Sequence, residues 1–534
     1  MPKKLIYILI FAGIVRIMGI FWGIATYDGF EFDEWQHVSI ARNLISKFDS
    51  NIIPKEKINT QWNARAFGSQ IALIGYPIIK LTRLSSEYLF LIGRLLSVFY
   101  GLLLIVLVYF MAAYIFKNKN IALLACAIIS VCDLAVTYSH YSTPDTIYVF
   151  YAYLAIFFAM LLRDYLSSKP INDLWNISPQ KWLILGFPFA IALTMSTRFD
   201  LSSIVLFVFA FFVSANKKNI KEYAFLWIIM FFIICGSFLI SVASDYNLTD
   251  FLRSKAMLSK DNFYVVLNRQ NVKWNPLLYF FALLSGTGVF VITGFFTGWF
   301  YKIKGKRFFD IKHVFFLIYL GSAFFILSLG SATFVRRALV FVPYIAIMSA
   351  YGIYTIADNF NCKKILIGLT LTYTAMLMLL SQKYFLYDNR YSANKFLHKY
   401  VSEENITKIL YDSNYSKIKR MPAGDKLNEL GGNLNAQDDI LKYDLLVLHE
   451  SFYARYWKYF TTPFQIPANT NEIYHGSEIF RSIIQSVILG QMPYKLIKEF
   501  PINHLFPERL LFKHLFGTYE TSLGDVRIYR KTDQ

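Results

Sequence analysis

The residues most suited to chemistry stand just after the first apolar run, where the chain reads Tyr27-Asp28-Gly29-Phe30-Glu31-Phe32-Asp33-Glu34-Trp35-Gln36-His37. Carboxylates crowded this closely repel one another unless they hold a cation, share a proton or serve a reaction, and each of these shifts their pKa values. Asp33 and Glu34 are the pair read as functional. Asp28, Glu31 and His37 read more simply as a solvated interfacial turn, in which Asp33 would also serve as N-cap of a helix over Trp35–Ile45.

A second candidate stretch is Tyr138-Ser139-His140-Tyr141-Ser142-Thr143-Pro144-Asp145. Pro144 suits the first helical position, with Thr143 as cap. Asp145 then falls in the first turn, where the positive helix end favours its ionised form. That placement alone accounts for an aspartate, so structural and functional readings both stand for Asp145 and for His140. Arginines recur near the ends of later apolar runs: Arg198 in Thr197-Arg198-Phe199-Asp200, and the adjacent Arg336 and Arg337. Guanidinium groups bind phosphate oxygens bidentately; Arg198 has Asp200 as a competing partner. Lys255 belongs to a basic, aromatic stretch over 244–276 with Arg253, Lys260, Arg269 and Lys273. It reads either as a lid over an anionic lipid or as a basic surface. Asp133 and Arg16 lie inside apolar runs, which is costly in lipid, so they must face protein or a polar cavity.

These residues must be positioned by membrane helices. The chain has 534 residues, 56% hydrophobic and only 17% charged, with mean hydropathy +0.40. Soluble domains hold about 45–50% apolar and about 25% charged residues, so disorder and an ordinary cytosolic enzyme are excluded. Runs long enough to cross a bilayer cover Leu5–Thr26, Tyr88–Phe116, Ile121–Tyr138, Thr146–Leu162, Trp182–Thr197, Leu201–Ser214, Ala224–Ala243, Leu277–Tyr301, His313–Gly330, Ala338–Ile356 and Ile365–Leu380, about eleven in all. The first is too long, and lacks the small-residue cleavage site, to be a removable signal peptide.

Lys3 and Lys4 begin an alternation in which every second connection is basic, through Lys117 and Lys119, Arg163 and Lys169, Lys217 and Lys218, Lys302 to Arg307, and Lys363 and Lys364. This places the N-terminus in the cytoplasm and the acidic stretches outside. The net charge of +19 is thereby explained by loop positions, and no nucleic-acid partner is needed. The four cysteines form no disulfide framework. The division expected is a membrane region 1–381, with outer loops 27–87, 139–145 and 244–276, followed by an outer α/β domain 382–534. Short strands Ile409–Tyr411, Leu445–Leu448 and Val526–Tyr529 alternate there with helical patterns at Ala393–Val401 and Glu478–Leu489.

In this order and on this side of the membrane, the motifs resemble the GT-C superfamily of integral-membrane glycosyltransferases, most nearly the branch of protein O-mannosyltransferases and aminoarabinose transferases. The resemblance covers most of the membrane region. It rests on Asp33-Glu34 after the first run, on Asp145, on Tyr76-Pro77 with Gly93-Arg94-Leu95-Leu96-Ser97, and on Arg337-Ala338-Leu339-Val340-Phe341-Val342-Pro343. The segment Leu523–Arg530 is similar to soluble domains appended to bacterial members. Phe30-Glu31-Phe32 replaces the His-Pro common before the acidic pair, which leaves the subfamily open.

The resemblance implies a helical bundle whose outer-loop helices roof a cavity, and inverting transfer of a sugar from a polyprenyl-phosphate donor to an acceptor hydroxyl. Asp33 would be the base. Arg336 or Arg337, with Arg198, would stabilise the departing phosphate. Glu34 and Asp145 would orient the acceptor or hold a divalent cation, although the donor has no nucleotide diphosphate that requires a metal. His140 and Lys255 are further substrate-binding candidates. The acceptor is a glycan, lipid or protein, and the Lys-, Ile- and Asn-rich composition points to a prokaryotic cell membrane. A transporter or flippase of a lipid-linked glycan is the competing reading, weakened because the two halves of the membrane region are dissimilar; a membrane scaffold whose outer domain binds a partner is the third.

Overall fold

Apolar runs fold as helices because lipid gives the backbone no alternative hydrogen-bond partner. The computed structural model describes residues 2–24, 32–53, 65–168, 182–197, 232, 275–305, 311–329, 335–412, 421–426, 440–450, 484, 486–519 and 523–532. Helices α1 (Lys3–Ile17), α2 (Phe32–Phe48), α3 (Arg65–Thr82) and α4 (Tyr88–Phe116) come first. They are followed by α5 (Lys119–Val131), α6 (Asp133–Thr137), α7 (Asp145–Ser168) and α8 (Trp182–Thr197). After the long segment outside the described residues come α9 (Asn275–Thr287), α10 (Val289–Lys304), α11 (Ile311–Leu329), a 3-10 turn (Val335–Phe341), α12 (Val342–Asn359) and α13 (Lys363–Leu386). Among the described residues, four helical stretches are long and apolar enough to cross a membrane, or five if α9 and α10 count as one span; α5, α8 and α11 are shorter apolar helices. The runs Leu201–Ser214 and Ala224–Ala243 lie outside the described residues, apart from Phe232.

The run Leu5–Thr26 is helical only to Ile17 and turns through 18–24, and two other expected runs are broken into separate helices. Leu277–Tyr301 is two helices that meet at 112°, with Gly288 at the corner in the left-handed region (φ +88°), where a side chain would be strained. Ile121–Tyr138 divides at Cys132, whose backbone is extended. Arg16 explains that break. Its guanidinium donates to Ile129 O and Ser130 O, each at 3.2 Å, and so caps the α5 carbonyls that a continuing helix would have used. Arg16 thus faces protein, as a buried cation must.

Residues 389–532 add α14 (Asn389–Glu404), strands β1 (Ile409–Tyr411), β2 (Asp425–Lys426), β3 (Leu445–His449) and β4 (Tyr494–Phe500), helix α15 (Pro507–Phe516) and β5 (Val526–Lys531). The sheet order is β2-β1-β3-β5-β4. The β1–β2 and β1–β3 pairs are parallel, while β5 runs antiparallel to both β3 and β4. Every residue of β1 and β3 is buried, as expected for strands covered on both faces.

Buried charge ties this sheet region to the helices. Asp133, at the start of α6, forms an ion pair with Arg509 of α15, and Arg509 also donates to Ser381 Oγ at 3.3 Å. Beside it, Tyr373 Oη donates to the Glu508 carboxylate at 2.8 Å, and Ser285 Oγ donates to Glu508 O at 2.9 Å. Arg509→Met would leave Asp133 buried without its counter-charge. The expected loss of stability is about 3–5 kcal/mol, read as a fall in melting temperature, and adding Asp133→Asn should recover most of it.

Candidate active site

Glu34 lies in the first turn of α2, fully enclosed. Arg94, in the second turn of α4, grips it with both arms: Nε donates to Oε1 and Nη2 to Oε2, each at 2.8 Å. The third nitrogen, Nη1, donates to Ile20 O at 2.8 Å and to Trp22 O at 2.5 Å. Ser142 N adds a third donor to Glu34 Oε1 at 2.7 Å. One buried carboxylate therefore joins the end of the first helical segment, α2, α4 and the 139–144 loop. Charge-assisted bidentate bonds fix direction as well as distance.

The loop reaches this position because α4 carries glycine where it crosses. A Cβ on Gly93 would lie 1.9 Å from Ser142 Oγ. Gly93→Val is expected to push the loop off α4, with a fall in melting temperature and loss of any activity that depends on this corner. Ser142 Oγ and Thr143 Oγ1 are buried and, among the described residues, have no hydrogen-bond partner, so the loop keeps polar capacity to spare.

Asp145 opens α7. It lies buried, 3.9 Å from Nε of Arg336, which comes from the 3-10 turn ahead of α12. Tyr153 of α7 holds the two elements together: its hydroxyl donates to Val340 O at 2.8 Å and accepts from Tyr344 N at 3.3 Å. Arg337 is half-buried on the same turn. The two charge pairs meet at the 142–145 stretch, which touches Glu34 at one end and Arg336 at the other.

His140 is enclosed differently from the substrate-binding expectation. Its ring stacks on Phe385, with centroids 4.7 Å apart and planes 17° from parallel. Nδ1 lies 2.8 Å from Val136 O and Nε2 2.5 Å from Met18 O. Both ring nitrogens are thus engaged by backbone, and the side chain ties its loop to the end of α1. Glu34 also departs from the expectation that it orients an acceptor or holds a cation. Three N–H groups, two of them from a guanidinium, occupy its oxygens, so it is a poor ligand for a second cation. Among the described residues, no three His, Cys, Asp or Glu side chains come together as a metal site. Asp33 belongs to the first turn of α2, but its side chain lies outside the described residues, as do Arg198 and Lys255.

In the sequence Arg94 stands out only as part of the Gly93-Arg94-Leu95-Leu96-Ser97 motif. The signal was present: a lone arginine in an apolar run requires a carboxylate, and the nearest surplus of carboxylates is at Asp28–Glu34. The network extends further than any local pattern shows. Trp22 Nε1 donates to Asp388 Oδ2 at 3.1 Å, and Asp388 accepts from Arg390 Nη2 at 2.7 Å, all three side chains being buried at the start of α14.

No protein-family model matches the sequence, and no curated protein matches it. Solved structures do. The archaeal oligosaccharyltransferase AglB from Archaeoglobus fulgidus, in complex with an inhibitory peptide and a dolichol-phosphate, is similar at TM-score 0.51 and 13% identity, over 99% of this chain and 88% of that one. The apo form of the Archaeoglobus fulgidus oligosaccharyltransferase is similar at TM-score 0.52 and 12% identity, over 85% and 70%. The fold is GT-C-like. ArnT from Cupriavidus metallidurans, bound to undecaprenyl phosphate, is similar at the lower TM-score of 0.43 and 12% identity, over 72% and 71%. Within the GT-C-like fold, the Glu34–Arg94 pair and the Asp145–Arg336 pair sit where the first long loop, the 139–144 loop and the turn before α12 converge.

Proposed function

We propose that this protein is an inverting glycosyltransferase that moves a hexose or pentose from a polyprenyl-phosphate donor to an acceptor hydroxyl. The reaction takes place on the extracytoplasmic side of a prokaryotic cell membrane, with the N-terminus and the basic loops in the cytoplasm. The membrane region 1–381 carries the chemistry, and 382–534 forms the extracytoplasmic domain. One observation carries the reading: in a GT-C-like fold, Asp145 and Arg336 lie 3.9 Å apart beside a loop that is bonded to the residue following Asp33. AglB, whose solved complex includes a dolichol-phosphate, supports a lipid-phosphate donor.

The chemistry follows from charge. Asp33 accepts the acceptor hydroxyl proton as that oxygen attacks the anomeric carbon. The bond from that carbon to the phosphate oxygen breaks, and both electrons leave with the lipid phosphate. Arg336 and Arg337, with Arg198, stabilise the departing anion electrostatically, so no covalent intermediate is required. Asp145 holds Arg336 in place before the donor arrives and orients the acceptor. Glu34 and His140 act as positioning residues, and Lys255 contacts the lipid phosphate. A divalent cation near Asp33 and Asp145 would have to compete with Arg336 for Asp145, so no step is routed through a metal.

Purified protein incubated with a polyprenyl-phosphate sugar tests the proposal. Sugar should be released to an acceptor, and release should cease in Asp33→Asn; movement of an intact lipid-linked glycan without cleavage would instead support a flippase. Arg336→Ala is expected to raise the donor KM by about 10–100-fold, the equivalent of a hydrogen bond to a charged group at about 1.5–3 kcal/mol. An unchanged KM would remove Arg336 from the phosphate site.

A further inference from the structure

Helix α15 is amphipathic in the reverse of the usual sense. Its buried face holds Glu508, Arg509, Phe512 and Phe516, whereas Leu510 is 51% and Leu511 41% exposed, Leu505 just before it is 73% exposed, and His514 joins the exposed face only in the last turn, toward the sheet. A helix on a water-facing domain turns its leucines inward and its charges outward. Charges inward and leucines outward is the arrangement that a lipid solvent favours.

The depth at which α15 sits supports the same solvent. The chain leading into it descends along α13 in a series of contacts. Phe500 O accepts from Asn389 Nδ2 at 2.9 Å, beyond the end of α13. Asn503 N donates to Tyr384 Oη at 3.2 Å, near that end. The Phe506 ring packs edge-on against Tyr373, with centroids 5.0 Å apart, and the Glu508 carboxylate accepts from the Tyr373 hydroxyl. Tyr373 is ten residues from Lys363 and thirteen from Leu386, about 15 Å and about 20 Å along a helix that rises about 1.5 Å per residue. A hydrocarbon core is about 30 Å thick, so the N-terminus of α15 lies well within it. Arg509 meets Asp133 at a similar level, just beyond the end of α5, whose thirteen residues from Lys119 rise about 20 Å. At the other end of α15, Lys513 pairs with Asp525 at 2.7 Å and Glu450 at 3.1 Å, at the edge of the sheet.

We propose that residues 503–516 form a wedge by which the C-terminal domain enters the bilayer from its own side, with Leu505, Leu510 and Leu511 in contact with acyl chains. The occupant is lipid because the face is continuous with the spanning helices: its inner side is bonded to α13, α9 and α6 within the bilayer. This requires that α4, α7, α12 and α13 span a bilayer, and it does not depend on the transferase reading.

The test uses full-length protein with its four cysteines replaced, reconstituted into vesicles of phosphatidylcholine and phosphatidylglycerol. Leu510→Cys and Leu511→Cys are labelled with bimane, and Lys399→Cys on α14, whose side chain is 74% exposed, is the aqueous control. Labels at 510 and 511 should be quenched severalfold more than the control by nitroxides on lipid chains, and severalfold less by iodide. Iodide quenching equal to the control, without lipid quenching, would overturn the wedge. So would protection from both quenchers together with disulfide cross-linking of two Leu510→Cys chains, which would show that a second copy covers the face. Leu510→Asp is the independent check: it should lower the melting temperature of the reconstituted protein, and an unchanged value would count against lipid contact.

Discussion

Asp33→Asn is expected to lower sugar transfer by about 10²–10⁴-fold, the range for loss of a general base, in a protein that stays folded and monodisperse. The loss should fall on kcat, with donor KM nearly unchanged, because a general base for the acceptor hydroxyl would act in the chemical step and not in donor binding. Glu34 is the informative comparison. Its oxygens already accept from Arg94 Nε, Arg94 Nη2 and Ser142 N, three of the about four positions a carboxylate offers, so it is committed to the clamp. Glu34→Gln should lower both the stability and the kcat of the protein that remains folded, because it weakens the Arg94 clamp that holds the 139–144 loop in place. Retention of wild-type kcat by Asp33→Asn would end the assignment of Asp33 as base. A flat kcat in Glu34→Gln at full folding would show that the Arg94 clamp does not position the site.

Arg94→Met should be strongly destabilising, by about 3–5 kcal/mol, since removing one partner of a buried pair strands the other charge. Domain stabilities run to about 5–15 kcal/mol, so the variant should be recovered poorly and melt early. The size of the effect has two sources. The ion pair with Glu34 is lost, and the carbonyls of Ile20 and Trp22 lose the donor that closes the end of the first helical segment. Combining Arg94→Met with Glu34→Gln should restore most of the stability, and a double-mutant cycle would give the coupling. Additive losses in that cycle would mean that the two side chains act separately. The restored double variant should remain catalytically weak, because the 139–144 loop has lost the charged partner of Ser142 N.

Much of the architecture is legible in one dimension. The runs Tyr88–Phe116, Thr146–Leu162 and Ile365–Leu380 appear as α4, α7 and α13, and the short apolar stretches Ile409–Tyr411, Leu445–Leu448 and Val526–Tyr529 appear as β1, β3 and β5. Asp145 stands in the first turn of α7, but the helix begins one residue after Pro144 and Thr143 Oγ1 makes no capping hydrogen bond among the described residues. The candidate site is legible only as a list. Asp33, Glu34, Asp145 and the paired arginines are the right kinds of residue near the ends of apolar runs, yet nothing local distinguishes a carboxylate free to react from one that is clamped. The corner in Leu277–Tyr301 could have been suspected at Gly288, but glycine is also common within straight membrane helices.

Residue composition selects the solvent of each segment. A run of apolar residues in lipid must satisfy its own backbone hydrogen bonds, so composition alone selects helix there. It also placed the basic loops and the carboxylates at opposite ends of the helices. Only the tertiary structure decided which charge meets which: Arg94 with Glu34 across sixty positions, and Arg509 with Asp133 across 376. Such pairs leave no periodic trace, because a buried ion needs one counter-ion at contact distance, and any part of the chain that packs there can supply it.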